Sequence, residues 1–237
     1  MNILLTNDDG YNSTGIQLLK RILSKYGKVV VLAPDSPRSA QSASLTIGRG
    51  IKVEKVDDDT FKCDGTPVDC VSFGLTSLNI AFDIVVSGCN NGYNISYDTM
   101  YSGTVAAALE SLMIGVPAIA VSAKHNTDFS EVERHFDEVW AFIQKHQLLS
   151  NKYLLNVNFP RNEVKGLSLG SLYYRKDQNY FTKQEDGYWA YRYVQEDFQD
   201  DKDSDCYQVE HGIISIVPLS RTYYKKEIFE ELKKKVK

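Results

Sequence analysis

Residues 1–15 read "MNILLTNDDGYNSTG". The apolar run Ile3 to Leu5 predicts a buried strand over residues 2–6, yet it passes directly into Asn7, Asp8, Asp9 and Gly10. One explanation is local, since a strand-to-helix turn favours Asn, Asp and Gly for capping and for positive φ. The other is chemical. Two neighbouring carboxylates repel each other, and keeping both ionised in a partly buried place is costly unless a cation lies beside them. The stretch alone leaves both open.

Working outward, residues 15–26 place Ile16, Leu19, Ile22, Leu23 and Tyr26 on one helical face, with Gly27 positioned to end the helix. "KVVVLAPD" (28–35) then reads as a strand apolar on both faces. Strand, helix and doubly buried strand make a βαβ unit with parallel strands. A hairpin is expected from "GIKVEKV" (50–56) through Asp57–Asp59 into "TFKC" (60–63), then a helix capped by Thr66 with Pro67 at its first position. The rhythm repeats in strand "AFDIVVSG" (81–88), helix "GTVAAALESLMIG" (103–115) and strand "VPAIAVSA" (116–123). Ser130 and Glu133 suggest a capping box before another helix, and "YLLNVNF" (153–159) a further buried strand. The fold class is α/β, a Rossmann-like, doubly wound, mostly parallel sheet. The core is assigned to residues 1–160. An extension over 161–237 carries an exposed hairpin arm, about 175–210, and an amphipathic terminal helix with Ile228, Leu232 and Val236 at helical spacing.

Ligands of open parallel sheets bind at the carboxyl ends of the strands. There this chain places Asn7 to Gly10, "PDSPRSAQSAS" (34–44), "SGCNNGYNISYDTMYSGT" (87–104) and Lys124–His125–Asn126. The donors at that rim are oxygens, from Asp8, Asp9, Ser39 and Asn90, a set that suits Mg²⁺, Mn²⁺ or Ca²⁺ rather than Zn²⁺. Ser102, Gly103 and Thr104 lie at a helix start, which is either an ordinary N-cap or a seat for phosphate. No phosphate-binding G-x-x-x-x-G-K-[ST], dinucleotide G-x-G-x-x-G or calcium-loop pattern is present.

The 237 residues are 43% hydrophobic and 24% charged, with a formal net charge of −4, and no basic stripe points to a nucleic-acid polymer. The four cysteines are scattered and read as reduced thiols of a cytoplasmic protein. No signal peptide or apolar run long enough to cross a bilayer is visible, so no membrane partner is expected.

The segments "ILLTNDDGYNSTGIQLL", "VLAPDSPRSAQSASLT", "CDGTPVDCV", "DIVVSGCNNGYNISYDTMYSGTVAAALES" and "GVPAIAVS" resemble the SurE 5′-nucleotidases, also called stationary-phase survival proteins, with weaker matches in "LLNVNFP" and "IISIVPL". The resemblance is strong over roughly residues 1–123 and keeps order and spacing to the end. It implies a metal-dependent phosphatase for nucleoside 5′-monophosphates. Its metal ligands would be Asp8, Asp9, Ser39 and Asn90, holding one Mg²⁺ or Mn²⁺ per subunit. Asn7, Gly92, Asn94, Asp98, Ser102, Gly103 and Thr104 would form the substrate and phosphate side. It also implies a homodimer with swapped extensions and leaves a tetramer open. Ala40 and Cys89 stand where family members usually have Gly and Ile, and neither change removes a ligand atom.

The expected mechanism is attack by an activated water, with Asp8 or Asp9 orienting or deprotonating it and His125 as a candidate general acid. Two alternatives stand beside it. A covalent aspartyl-phosphate route normally uses Asp-x-Asp, which adjacent Asp8–Asp9 does not match. A nucleotide-binding regulator would keep the pocket without turnover. The arm aromatics Tyr180, Phe181, Tyr188, Trp189, Tyr191, Tyr193 and Phe198 either interlock a dimer or stack on a nucleobase. Base preference, and activity on 3′-nucleotides or polyphosphate, are not readable.

Overall fold

The computed structural model describes residues 1–174, 180–192, 201–220, 222 and 224–235. In chain order the elements are β1 (Asn2–Thr6), α1 (Thr14–Leu23), β2 (Lys28–Pro34), β3 (Val53–Asp57), β4 (Thr60–Cys63), α2 (Pro67–Ser77) and β5 (Ile84–Asn91). A 3-10 turn (Ser96–Met100) precedes α3 (Gly103–Ile114), β6 (Ala118–Ala123), α4 (Ser130–Lys145), β7 (Tyr153–Phe159) and β8 (Gly166–Leu169). Then come β9 (Tyr180–Lys183), β10 (Trp189–Arg192), α5 (Asp205–Glu210), β11 (Ile213–Ser220) and α6 (Lys226–Lys235).

Nine strands form one sheet in the order β3-β4-β2-β1-β5-β6-β7-β11-β8. β1 pairs in parallel with β2 on one side and β5 on the other, so the strand order reverses at β1. Alternation along β1 sorts its side chains between two cores. Ile3 and Leu5 pack with Ile16, Leu19 and Ile22 of α1 and with Val132, Phe136 and Val139 of α4. Leu4 packs on the opposite face with Cys70 and Val71 of α2 and with Val105, Ala108 and Leu112 of α3. Helices therefore cover both faces, as the doubly buried strands predicted.

The local signals mostly hold. Thr66 caps α2 in a reciprocal box with Asp69, and Pro67 opens the helix. Helix α1 stops at Leu23 rather than 26, because the chain tightens through Lys25 N–H to the Ile22 carbonyl and Tyr26 N–H to the Leu23 carbonyl. The Ser130–Glu133 capping box does not form. Phe129, buried and in left-handed backbone (φ 59°), occupies the cap position, and Glu133 instead pairs with Arg21 at 2.7 Å.

Beyond residue 160 the chain returns to the main sheet: β11 runs antiparallel to β7, and β8 runs parallel to β11. The 1–160 boundary thus cuts through one continuous sheet. The arm contains an antiparallel hairpin, β9 with β10, outside that sheet. The expected arm runs too far at its end, because α5 is docked in the body with Asp205, Cys206 and Val209 buried. Tyr193, Phe198 and Val236 lie outside the described residues. Helix α6 has Ile228, Phe229 and Leu232 exposed. Among the described residues no helix is long and apolar enough to cross a membrane.

Helix α1 approaches β5 so closely that a Cβ on Gly15 would collide with the Cys89 carbonyl oxygen. Because the obstacle is backbone, Gly15→Ala is expected to destabilise the protein by about 1–3 kcal/mol, read as a lower denaturation midpoint in urea.

Candidate active-site cleft

At the end of β1 the Asn7 amide builds the turn: its Nδ2 donates to the Gly10 carbonyl (3.1 Å) and to Ser13 Oγ (2.7 Å), while its Oδ1 accepts from Gly10 N–H (3.1 Å). Gly10 completes the turn at φ 104°. Asn7 and Gly10 are thus consumed by local structure, and Asp8 and Asp9 project into a cleft of about 530 Å³. Ser39, Ala40, Asn90, Asn91, Tyr93, Asn94, Asp98, Tyr101, Ser102 and Tyr191 complete its lining. That volume is typical of small-molecule sites.

Asp8 is buried, and its Oδ1 accepts a hydrogen bond from Thr104 Oγ1 at 2.6 Å. Burial pushes its carboxyl up from 3.8 to about 6; the Thr104 bond opposes this and the neighbouring Asp9 charge adds to it. Asp9 is raised too, chiefly by burial, while the Asn91 N–H at 3.2 Å and the field of His125 pull it down. Helix α3 starts hard against this pair: a Cβ on Gly103 would lie 3.0 Å from Asp8 Cβ and 3.2 Å from its Oδ2.

The structure redistributes several of the expected substrate-side roles. Ser102 lines the cleft, but its Oγ accepts from Val105 N–H (3.1 Å), so it is the N-cap of α3. Thr104 is fully buried and serves Asp8; neither it nor Gly103 lines the cleft. Asn94 lines it, with Nδ2 donating to Ser122 Oγ at 2.8 Å. Asn90 turns Nδ2 to the Gly92 carbonyl (2.9 Å), which leaves its oxygen for the cleft. His125 is exposed and outside the lining, with Nδ1 3.0 Å from the Asn91 carbonyl; since a carbonyl only accepts, Nδ1 carries the proton.

Sequence reasoning missed the residues that hold Asn94. Asn158 Oδ1 accepts from Asn94 N–H (2.9 Å), and the Nδ2 groups of Asn156 and Asn158 both donate to the Asn94 carbonyl, at 2.7 and 3.1 Å. Polar residues at period two inside the apolar run of β7 were the available signal. Asn91, Tyr93 and Tyr101 were also not singled out, although they lie in the rim loop.

The donors converging on the acidic pair are carboxylate, hydroxyl and amide oxygens, and a buried carboxyl held above its ordinary range gains from a neighbouring cation. A hard divalent ion fits this set. Among the described residues no three His, Cys, Asp or Glu side chains gather, so Ser39 and Asn90 would complete the ligation.

A polar cleft floored by adjacent carboxylates at the reversal point of a doubly wound sheet defines a Rossmann-like α/β ligand-binding protein. The chain belongs to the SurE survival-protein family, whose description "Survival protein SurE" matches residues 3–179. A 5′-nucleotidase SurE from Haemophilus influenzae is 38% identical over 229 residues, covering 92% of this chain and 91% of that protein. Its counterpart from Petrotoga mobilis is 39% identical over 253 residues, covering 98% of each. The crystal structure of the SurE protein from Aquifex aeolicus aligns over 100% of both chains with a TM-score of 0.86 at 32% identity.

The raised Asp8 carboxyl links stability to pH. Well below pH 3.8 Asp8 is protonated in folded and unfolded chains alike; as pH rises toward about 6 the unfolded chain ionises first. Asp8 therefore withdraws stability as pH rises through that window, on the order of 3 kcal/mol in the presence of a chelator. Urea denaturation of wild type and Asp8→Asn in EDTA should show their difference shifting by that amount in favour of the variant between pH 4 and pH 7.

Proposed function

We propose that the protein is a 5′-nucleotidase that hydrolyses nucleoside 5′-monophosphates to nucleoside and phosphate, using one Mg²⁺ or Mn²⁺ per subunit. The observation that carries this reading is the juxtaposition in one cleft of an oxygen-rich acidic floor, Asp8, Asp9, Ser39 and Asn90, with an aromatic wall of Tyr93, Tyr101 and Tyr191. The floor suits a phosphate with a divalent ion, and the wall suits a nucleobase. Relatives at 38–39% identity that carry the 5′-nucleotidase name support the same reaction.

The ion would be held by Asp8, Asp9, Ser39 and Asn90. When bound it supplies an acidified water and neutralises charge on the phosphoryl group. Asp9, less buried than Asp8 and steadied by Asn91 N–H, orients the attacking water and takes its proton. Thr104 fixes Asp8 by one oxygen and leaves the other facing the start of α3. Phosphate oxygens are received on this reading by the second amide hydrogen of Asn94, which lines the cleft. His125 acts on Asp9 through its field and keeps Nδ1 on the Asn91 carbonyl, so Nε2 is the nitrogen that would serve as general acid. The cytoplasmic setting and the homodimer belong to the same proposal; the exposed apolar residues of α6 and of the arm, among them Phe229 and Trp189, are the surfaces a second subunit would cover.

The test is phosphate release from AMP and GMP with Mg²⁺ or Mn²⁺. Activity should vanish in EDTA, and Asp9→Asn should lower kcat by about 100-fold or more; activity that survives EDTA defeats the metal reading. In a separate assay, Mn²⁺ binding followed by electron paramagnetic resonance, Thr104→Val should weaken affinity by about tenfold or more while Thr104→Ser retains it. If burst kinetics and ¹⁸O labelling place phosphate on an aspartate, the water-attack route gives way to the covalent one.

A further inference from the structure

Asp205 is fully buried, far from Asp8 and Asp9 in sequence, and unused by the mechanism above. Its carboxylate faces backbone amides: Oδ2 accepts from Ser96 N–H at 2.8 Å, and Oδ1 accepts from Tyr173 N–H at 3.1 Å and Cys206 N–H at 2.9 Å. Two of these amides belong to segments that lead to the nucleoside side of the cleft, and the third lies on the helix of Asp205 itself. Ser96, at φ 50°, opens the 3-10 turn that carries Asp98 and leads to Tyr101 and Ser102. Tyr173 stands where the chain leaves the body for the arm that bears Tyr191. Cys206 follows Asp205 in the first turn of α5.

The neighbouring contacts reinforce this junction. The two ends of the arm are tied by Ser171 N–H to the Asp203 carbonyl (2.8 Å) and Asp205 N–H to the Ser171 carbonyl (2.9 Å). Tyr93 and Tyr173 pack on a small core of Ile95, Cys206 and Val209. The acidic floor hangs on other supports, namely the Asn7 turn, Thr104 of α3 and Asn91 of β5. Those bonds are distinct from the three amides that Asp205 holds.

We propose that Asp205 is a positioning residue for nucleoside recognition: it holds the Ser96 turn and the root of the arm in one register, so that Tyr93, Tyr101 and Tyr191 present a formed wall to the base. A carboxylate is required because both oxygens act as acceptors. An Asn would turn an NH₂ group toward one of the amides and leave a buried donor facing a donor. The inference rests on the nucleotidase reading for the identity of its ligand.

The experiment compares wild type with Asp205→Asn in steady-state hydrolysis of AMP with Mn²⁺, alongside competitive inhibition by inorganic phosphate, which needs the floor and Asn94 but not the aromatic wall. The expected result is a KM for AMP raised about tenfold or more, with kcat and the phosphate inhibition constant within about twofold of wild type. A merely structural role would move the floor as well, so parallel losses in AMP and phosphate binding overturn the proposal, as does an unchanged KM. Should the variant fail to fold, amide hydrogen exchange of the wild type decides: the Ser96 and Tyr173 amides must be slow, and fast exchange at either overturns the role of Asp205. Absence of AMP hydrolysis by wild type is a different outcome. It overturns the nucleotidase reading and with it the nucleoside assigned to this wall.

Discussion

Burying the Asp8 carboxyl at the end of a central parallel strand sets the terms for everything around it. Ionisation there is opposed by desolvation and by the Asp9 charge, and within the described residues it is helped mainly by the Thr104 hydroxyl. That single hydroxyl comes from a helix whose first residue is glycine, because any Cβ there would press on Asp8. The acidic turn and the small residues at the start of α3 thus meet in one electrostatic problem, which the proposed divalent ion, held with Ser39 and Asn90, would answer. A fold that retains an uncomfortable carboxyl in its cleft is prepared for a positive partner.

The sheet places that problem where a ligand can reach it. Strand order reverses at β1, so the loops after β1, β2 and β5 diverge and open a cleft instead of closing over each other. The apolar residues of β1 divide between two cores, which clamps the strand from both faces and gives the Asn7 turn a rigid base. Polar groups inserted into β7 extend the same rigidity to the other side, where Asn156 and Asn158 treat the Asn94 peptide much as a neighbouring strand would.

The two halves of the cleft differ in how they are built. The floor rests on regular elements that meet tightly, while the aromatic wall is assembled from a 3-10 turn, a loop and a hairpin standing outside the main sheet. Irregular backbone needs explicit partners for its amides, and Asp205 supplies them at the point where those pieces meet. This division matches the chemistry proposed for each part, with the floor for a common phosphate and the wall for a base.

The order of strands and helices, the two-faced burial of β1 and β2, and the rim on which Asp8, Asp9, Ser39 and Asn90 fall were legible in the sequence, because side-chain periodicity and turn residues are local properties. Long-range pairings were not. Thr104 reaches Asp8 across 96 residues, Asp205 reaches Ser96 across 109, and Arg21 draws Glu133 away from its expected cap across 112. Nothing in the spacing of those residues announces a partner, since each bond exists only once packing has brought two distant segments together. The sequence by itself therefore determined which residues stand at the mouth of the sheet. Tertiary structure alone decided which of them face the cleft and which are spent holding the others, because hydrogen-bond geometry depends on distances that chain order does not encode.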